Sequence, residues 1–140
     1  MRILVTNDDG IHAPGLRALV QELVVLGSVV VVAPDRERSG TGHGITVHTP
    51  LRVTPVEWGS GVQAYSLNGT PADCVKLAIE ALIEDGCDLV LSGVNRGPNL
   101  GTDVLYSGTV SGAVEGYLHG LPALAVSGQD LELQPRPVGE

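Results

Sequence analysis

Two adjacent aspartates, Asp8 and Asp9, stand directly after a short apolar run and before Gly10. Carboxylates held side by side repel one another, and a hard divalent cation relieves that repulsion by taking both as ligands. Ser39 lies in a polar stretch after a second apolar run, Asn95 follows a third, and Ser107-Gly108-Thr109 precedes a helical pattern. The donors offered are carboxylate, hydroxyl and amide oxygens, with no Cys nearby and no His assignable as a ligand, so Mg²⁺ or Mn²⁺ fits better than structural zinc. Free N–H groups at a helix start, with two hydroxyls beside them, form an anion site. A metal next to an anion site is the arrangement that hydrolysis of a phosphate monoester requires, because the ion polarises the phosphoryl oxygen and can supply hydroxide. Blander readings compete: an Asp-Asp-Gly turn can simply end a strand, and Ser or Thr can simply cap a helix.

The elements that must position these residues follow from periodicity. Residues 2–6 and 29–33 are apolar without alternation, the pattern of strands buried on both faces of a parallel sheet. Between them Pro14 suits a first helical turn, and Leu16, Leu19, Val20 and Leu23 recur at helical spacing until Gly27. Residues 35–44 form a polar loop leaving the second strand. Residues 45–55 and 62–67 read as strands around a turn at Gly59-Ser60-Gly61, a hairpin excursion with partial exposure. Thr70-Pro71-Ala72-Asp73 is a strong helix start, and that helix is expected to run to about Glu84. Residues 88–92 read as the third buried strand, 110–118 as a helix and 123–126 as a final strand. The expected fold is therefore α/β: a Rossmann-like, doubly wound and mainly parallel sheet with helices on both faces. Residues 1–128 form its single domain and 129–140 a polar, mobile tail. Ligands of such sheets bind outside the carboxyl ends of the strands, which brings Asp8, Asp9, Ser39 and Asn95 to one rim.

Composition narrows the function classes. With a net charge of −8 and only 8 Lys and Arg among 140 residues, stable nucleic-acid binding is not expected. A small anion can still be recruited by a metal and backbone N–H groups, although the acidic field slows its approach. No basic leader or long apolar span is present, so a cytoplasmic location without membrane association is expected. Cys74 and Cys87 lie among apolar residues and read as buried, reduced thiols. Neither a G-x-x-x-x-G-K-[ST] loop nor G-x-G-x-x-G occurs, which weakens triphosphate and dinucleotide readings. His12 and His43 lie near the expected site without an assigned role, and His48 and His119 do not. Arg36, Arg38 and Arg96 read as solvated charges with access to a phosphate. Trp58 and Tyr65 are expected to pack the hairpin.

Seven segments taken together resemble one family: Val5-Thr6-Asn7-Asp8-Asp9-Gly10, Ala13-Pro14-Gly15, Ala33-Pro34-Asp35, Arg38-Ser39-Gly40, Asn68-Gly69-Thr70-Pro71-Ala72-Asp73, Ser92-Gly93-Val94-Asn95 and Tyr106-Ser107-Gly108-Thr109-Val110. In this order they are similar to the survival protein E (SurE) family. The resemblance implies a 5′-nucleotidase, acting on nucleoside 5′-monophosphates, with a Rossmann-like core and a divalent ion such as Mg²⁺ or Mn²⁺. It implies Asp8, Asp9, Ser39 and Asn95 as metal ligands and Asp8 and Asp9 as catalytic. Ser107, Gly108 and Thr109 match the phosphate-contacting segment, and Asn7, Gly40 and Asn95 join them as expected substrate contacts. It further implies a homodimer or homotetramer, and a chain that continues well past residue 126.

Two other classes compete. A receiver-like phospho-acceptor domain also carries an acidic pair after its first strand, but needs an acceptor Asp where this sequence has Asn95. A metal- or nucleotide-binding remnant without turnover would retain the same acidic pair.

Overall fold

The computed structural model describes residues 1–37, 44–96 and 107–128. Six strands form one sheet in the order β3-β4-β2-β1-β5-β6. They are β1 (Arg2–Thr6), β2 (Ser28–Pro34), β3 (Val53–Val56), β4 (Gln63–Leu67), β5 (Leu89–Arg96) and β6 (Ala123–Gly128). All neighbours run parallel except β3, which pairs antiparallel with β4. The mixed, mostly parallel α/β sheet is the architecture expected from the sequence.

Helix α1 (Pro14–Leu23) covers one face, where Leu16, Val20 and Leu23 pack on Ile3, Val5, Val29, Val31 and Ala33. Helix α2 (Pro71–Leu77) covers the other, with Cys74 and Val75 against Leu4, Val30, Val32 and Val90. Alternate residues of β1 and β2 thus serve two cores, which is why neither strand shows alternation in sequence. Each such aliphatic side chain contributes about 1.5–3 kcal/mol by leaving water. Helix α3 (Gly108–Leu118) shares the α2 face. Its Gly116 lies so close to β5 that a Cβ there would stand 2.8 Å from Val90 Cβ.

Three element boundaries differ from expectation. Residues 45–52 do not form a strand, and β3 begins only at Val53. The segment bonds to the Asn68 side chain, which accepts from the Arg52 N–H and donates to Pro50 O, and to the start of α2 instead of to a sheet partner. Thr46 donates its N–H and its hydroxyl to the Asp73 carboxylate (2.8 and 2.6 Å), and the Thr70 hydroxyl donates to the Gly44 carbonyl at 2.5 Å. The helix expected to reach Glu84 is regular only to Leu77 and continues to Leu82 as a wider turn, with the Ile83 N–H donating to Ala78 O at 2.9 Å. The strand expected to end at Ser92 continues to Arg96, so Asn95 lies on β5 beside Ser127 of β6 and not in a following loop. The hairpin turn itself is as expected: Gly59, Ser60 and Gly61 all have positive φ (91°, 55° and 73°), and both glycines face open space.

Trp58 packs against the α1 core, with the Arg17 guanidinium 4.2 Å from its ring centroid. Cys74 is buried and Cys87 half-buried, and neither is in a disulfide; burial pushes the Cys87 thiol up, and Asp88 adds to this. No helix among the described residues is long and apolar enough to cross a membrane. The 129–140 tail lies outside the described residues.

Candidate active site

The chain winds outward from β1 in both directions: through α1 to β2, then through α2 to β5 on the other side. The reversal lies between β1 and β5, where the strands' carboxyl ends open a crevice. Asn7, Asp8 and Asp9 leave β1 at that point.

Asn7 is fully buried and its amide builds the turn. Its Nδ2 donates to the Gly10 carbonyl at 2.8 Å, and the Gly10 N–H donates to Asn7 Oδ1 at 3.1 Å. Gly10 takes φ +107°, and a Cβ there would stand 3.1 Å from the Arg36 carbonyl carbon. Only glycine combines that backbone with so close an approach. The Ile11 N–H donates to Pro34 O at 2.8 Å, which fastens this loop to the exit of β2.

Asp8 is 5% exposed, and its Oδ1 is buried without a hydrogen-bond partner among the described residues. Burial, with the charges of Asp9 and Glu37 acting in the same direction, pushes its carboxyl up to about 6. The charged neighbours that act on it, Asp9 and Glu37, are both acidic, and a cation would offset the repulsion among the three carboxylates. Asp9 is half-buried.

The first turn of α3 closes the site from the other side. Ser107 caps the helix, its Oγ accepting the Val110 N–H at 3.2 Å, while the Ser111 hydroxyl donates to Ser107 O at 2.9 Å. The first-turn N–H groups of Gly108 and Thr109 have no carbonyl within the helix to receive them. Gly108 meets Asp8 directly: a Cβ on Gly108 would overlap Asp8 Oδ1 and stand 3.3 Å from Pro71 Cγ. The N-termini of α2 and α3 therefore converge beside Asp8. Thr109 is fully buried, and its hydroxyl has no partner among the described residues.

Asn95 sits on the same rim, at the end of the strand adjacent to β1. Gly15 at the start of α1 abuts this strand end, with a Cβ there standing 3.1 Å from Val94 O. Ser39 and Gly40, with Arg38 and His43, lie outside the described residues. The structure thus joins Asp8 to Gly108 and brings Asn7, Asp9, Asn95, Ser107 and Thr109 to the same end of the sheet. His12 and His48 are exposed. His119 lies at the C-terminal end of α3, its Nδ1 2.9 Å from Glu115 O and its Nε2 3.5 Å from Glu80 Oε1.

The donor set suits a hard cation. Among the described residues no three His, Cys, Asp or Glu side chains cluster as a metal site. Two carboxylates supplemented by amide and hydroxyl oxygens are the kind of set that Mg²⁺ accepts, since that ion keeps several waters. Sequence reasoning missed the contribution of Glu37 to the Asp8 environment, the clearance role of Gly108, and the hydroxyls of Thr6 and Ser92, both buried without partners. Their only signal in sequence was a hydroxyl near the end of each apolar strand.

Comparison with known proteins bears on the family and the fold. The family profile described as Survival protein SurE matches residues 3–137. A protein of Moorella thermoacetica named 5′-nucleotidase SurE is 63% identical over 128 residues, covering 91% of this chain and 49% of that relative. One of Carboxydothermus hydrogenoformans with the same name is 63% identical over 130 residues, with the same coverage. The crystal structure of the SurE protein from Aquifex aeolicus superposes with a TM-score of 0.82 at 48% identity, covering 93% of this chain and 52% of that one. The chain spans about half the length of the curated relatives it matches. With its seven motifs in order, its sheet topology and its match over residues 3–137, this chain belongs to the SurE family.

Proposed function

We propose that this chain carries the metal and phosphate site of a cytoplasmic, divalent-metal-dependent 5′-nucleotidase, which releases phosphate from nucleoside 5′-monophosphates. The observation that carries this reading is the buried Asp8 carboxylate, held beside the like charges of Asp9 and Glu37 and set against the N-terminal turn of α3. The name 5′-nucleotidase borne by relatives about 60% identical supports the choice of substrate.

In this reading Asp8, Asp9, Ser39 and Asn95 hold Mg²⁺ or Mn²⁺, which supplies Lewis-acid polarisation of the phosphoryl group. Asn7 keeps the two aspartates in their turn through its paired bonds to Gly10. The N–H groups of Gly108 and Thr109 receive phosphoryl oxygens at the positive end of α3, and Gly40 and Asn95 complete the contacts. Ser107 holds that helix start in place through its cap. Asp8 or Asp9 orients the attacking nucleophile. Assembly into a homodimer or homotetramer accompanies this reading.

Phosphate release from a panel of nucleoside monophosphates, measured with EDTA, Mg²⁺ or Mn²⁺, tests it. Release that requires metal and vanishes in Asp8→Asn and Asp9→Asn supports the proposal. A folded chain that releases no phosphate under any condition counts for a binding remnant instead.

A further inference from the structure

Four buried polar atoms make no hydrogen bond, to one another or to anything else among the described residues: Thr6 Oγ1, Asp8 Oδ1, Ser92 Oγ and Thr109 Oγ1. Their residues are 0%, 5%, 0% and 0% exposed. Native interiors rarely leave such groups unsatisfied, so a group of them together calls for a shared partner.

Their placement is coherent. Thr6 and Ser92 are register partners on β1 and β5. Both lie under Gly112, where a Cβ would stand 2.9 Å from Ser92 Oγ and 2.9 Å from Thr6 Cγ2. One helical turn earlier, about 6 Å along the axis, Gly108 lies against Asp8 Oδ1. Thr109 is buried between these two glycines in sequence. Asp8 Oδ1 and Ser92 Oγ therefore lie beneath successive turns of α3, at two glycines that withhold side chains, with Thr6 beside Ser92.

We propose that Thr6 and Ser92 are positioning residues for Asp8, acting through one buried water that bridges their hydroxyls to its carboxylate. Each hydroxyl can donate and accept, whereas an ionised Asp8 Oδ1 only accepts. A water that donates to Asp8 Oδ1 and to one of the two hydroxyls, and accepts from the other, satisfies Asp8, Thr6 and Ser92 together. The water fixes the orientation of the carboxylate and so the direction in which it meets a cation. This inference rests on the reading of Asp8 as a metal ligand.

The test compares Thr6→Val, which removes the hydroxyl at equal volume, Thr6→Ser, which keeps it, and Ser92→Ala, with Asp8→Asn as control. Mn²⁺ affinity is read by electron paramagnetic resonance, melting is followed without metal, and the wild type is crystallised at high resolution. Loss of an outer partner of a metal ligand weakens affinity by about 10-fold or more. That loss is expected in Thr6→Val and Ser92→Ala without a matching fall in melting temperature, with recovery in Thr6→Ser and a water in the crystal touching Thr6, Ser92 and Asp8. Wild-type affinity in Thr6→Val and Ser92→Ala, while Asp8→Asn loses Mn²⁺, overturns the proposal, as does an ion in place of the water. If one variant fails to fold, the other decides. If the wild type binds no Mn²⁺, or Asp8→Asn binds it unchanged, the metal reading is what has failed; the crystal then decides here, a water on these oxygens supporting the inference and its absence overturning it.

Discussion

Asp8 and Gly108 act as one unit, because the carboxylate occupies the space that any side chain at position 108 would take. Gly108→Ala is therefore expected to displace either Asp8 or the first turn of α3, costing about 1–3 kcal/mol and lowering phosphate release more than the stability change explains; urea denaturation beside the phosphate assay separates the two effects. Asp8→Asn removes the charge but keeps the shape, so it should lower kcat/KM by about 100-fold or more while the melting temperature holds or rises. Protonation gives a third check. The folded-state value of about 6 lies above the ordinary 3.8, so the folded chain binds this proton more tightly than the unfolded one. The stability Asp8 contributes without metal is present in full below the ordinary value and is lost as pH rises through about 6. A cation takes the deprotonated form, so Mn²⁺ affinity should climb over the same interval. A titration of Mn²⁺ binding that is flat from pH 5 to about 7 would sink that assignment.

The helix starts carry more structure than their short sequences suggest. Asp73 is 1% exposed, and its carboxylate accepts from the Thr46 N–H, the Thr46 hydroxyl and the Thr70 N–H, while its own N–H donates to Thr70 Oγ1. One residue thus caps α2 and fastens the chain at 44–46. Asp73→Ala should destabilise by about 3 kcal/mol, since hydrogen bonds to a charged group are lost and their donors stay buried; Thr70→Ala should cost only about 1 kcal/mol. Equal losses in chemical denaturation would contradict this division. On α3, Gly116 admits the helix onto Val90, and Gly116→Ala is expected to cost about 1–3 kcal/mol by overpacking. Val90→Ala removes the obstructing methyls, so the double variant should lose less than the two single losses added together. Strict additivity would mean that the helix shifts instead.

At the scale of the molecule, a charge of −8 surrounds a site proposed to take an anion. Repulsion between them is long-ranged in dilute salt, where the screening length is about 30 Å at 0.01 M and about 10 Å at 0.1 M. The value of kcat/KM for a nucleoside monophosphate should therefore rise across that range, with kcat little changed. A fall with added salt would point to a locally positive approach to the site that outweighs the overall charge.

Much of this was legible in the chain itself. Continuous apolar runs such as 2–6 and 29–33 required strands covered on both faces, and Pro14, Thr70-Pro71 and Ser107 marked helix starts, because backbone geometry and capping act over a few residues. The acidic pair after β1 could be read as a candidate site for the same reason. Other features depend on which distant segments meet. That Thr46 bonds to Asp73 and residues 50 and 52 to Asn68 instead of to a strand, that β5 continues to Asn95, and that Gly108 and Gly112 lie over Asp8, Thr6 and Ser92 are all consequences of packing between segments far apart in sequence. Residue type and spacing fixed the elements and named the acidic pair. Burial, which only the assembled sheet and helices create, decided that Asp8 would hold its proton more tightly than an ordinary carboxylate and leave one oxygen without a protein partner.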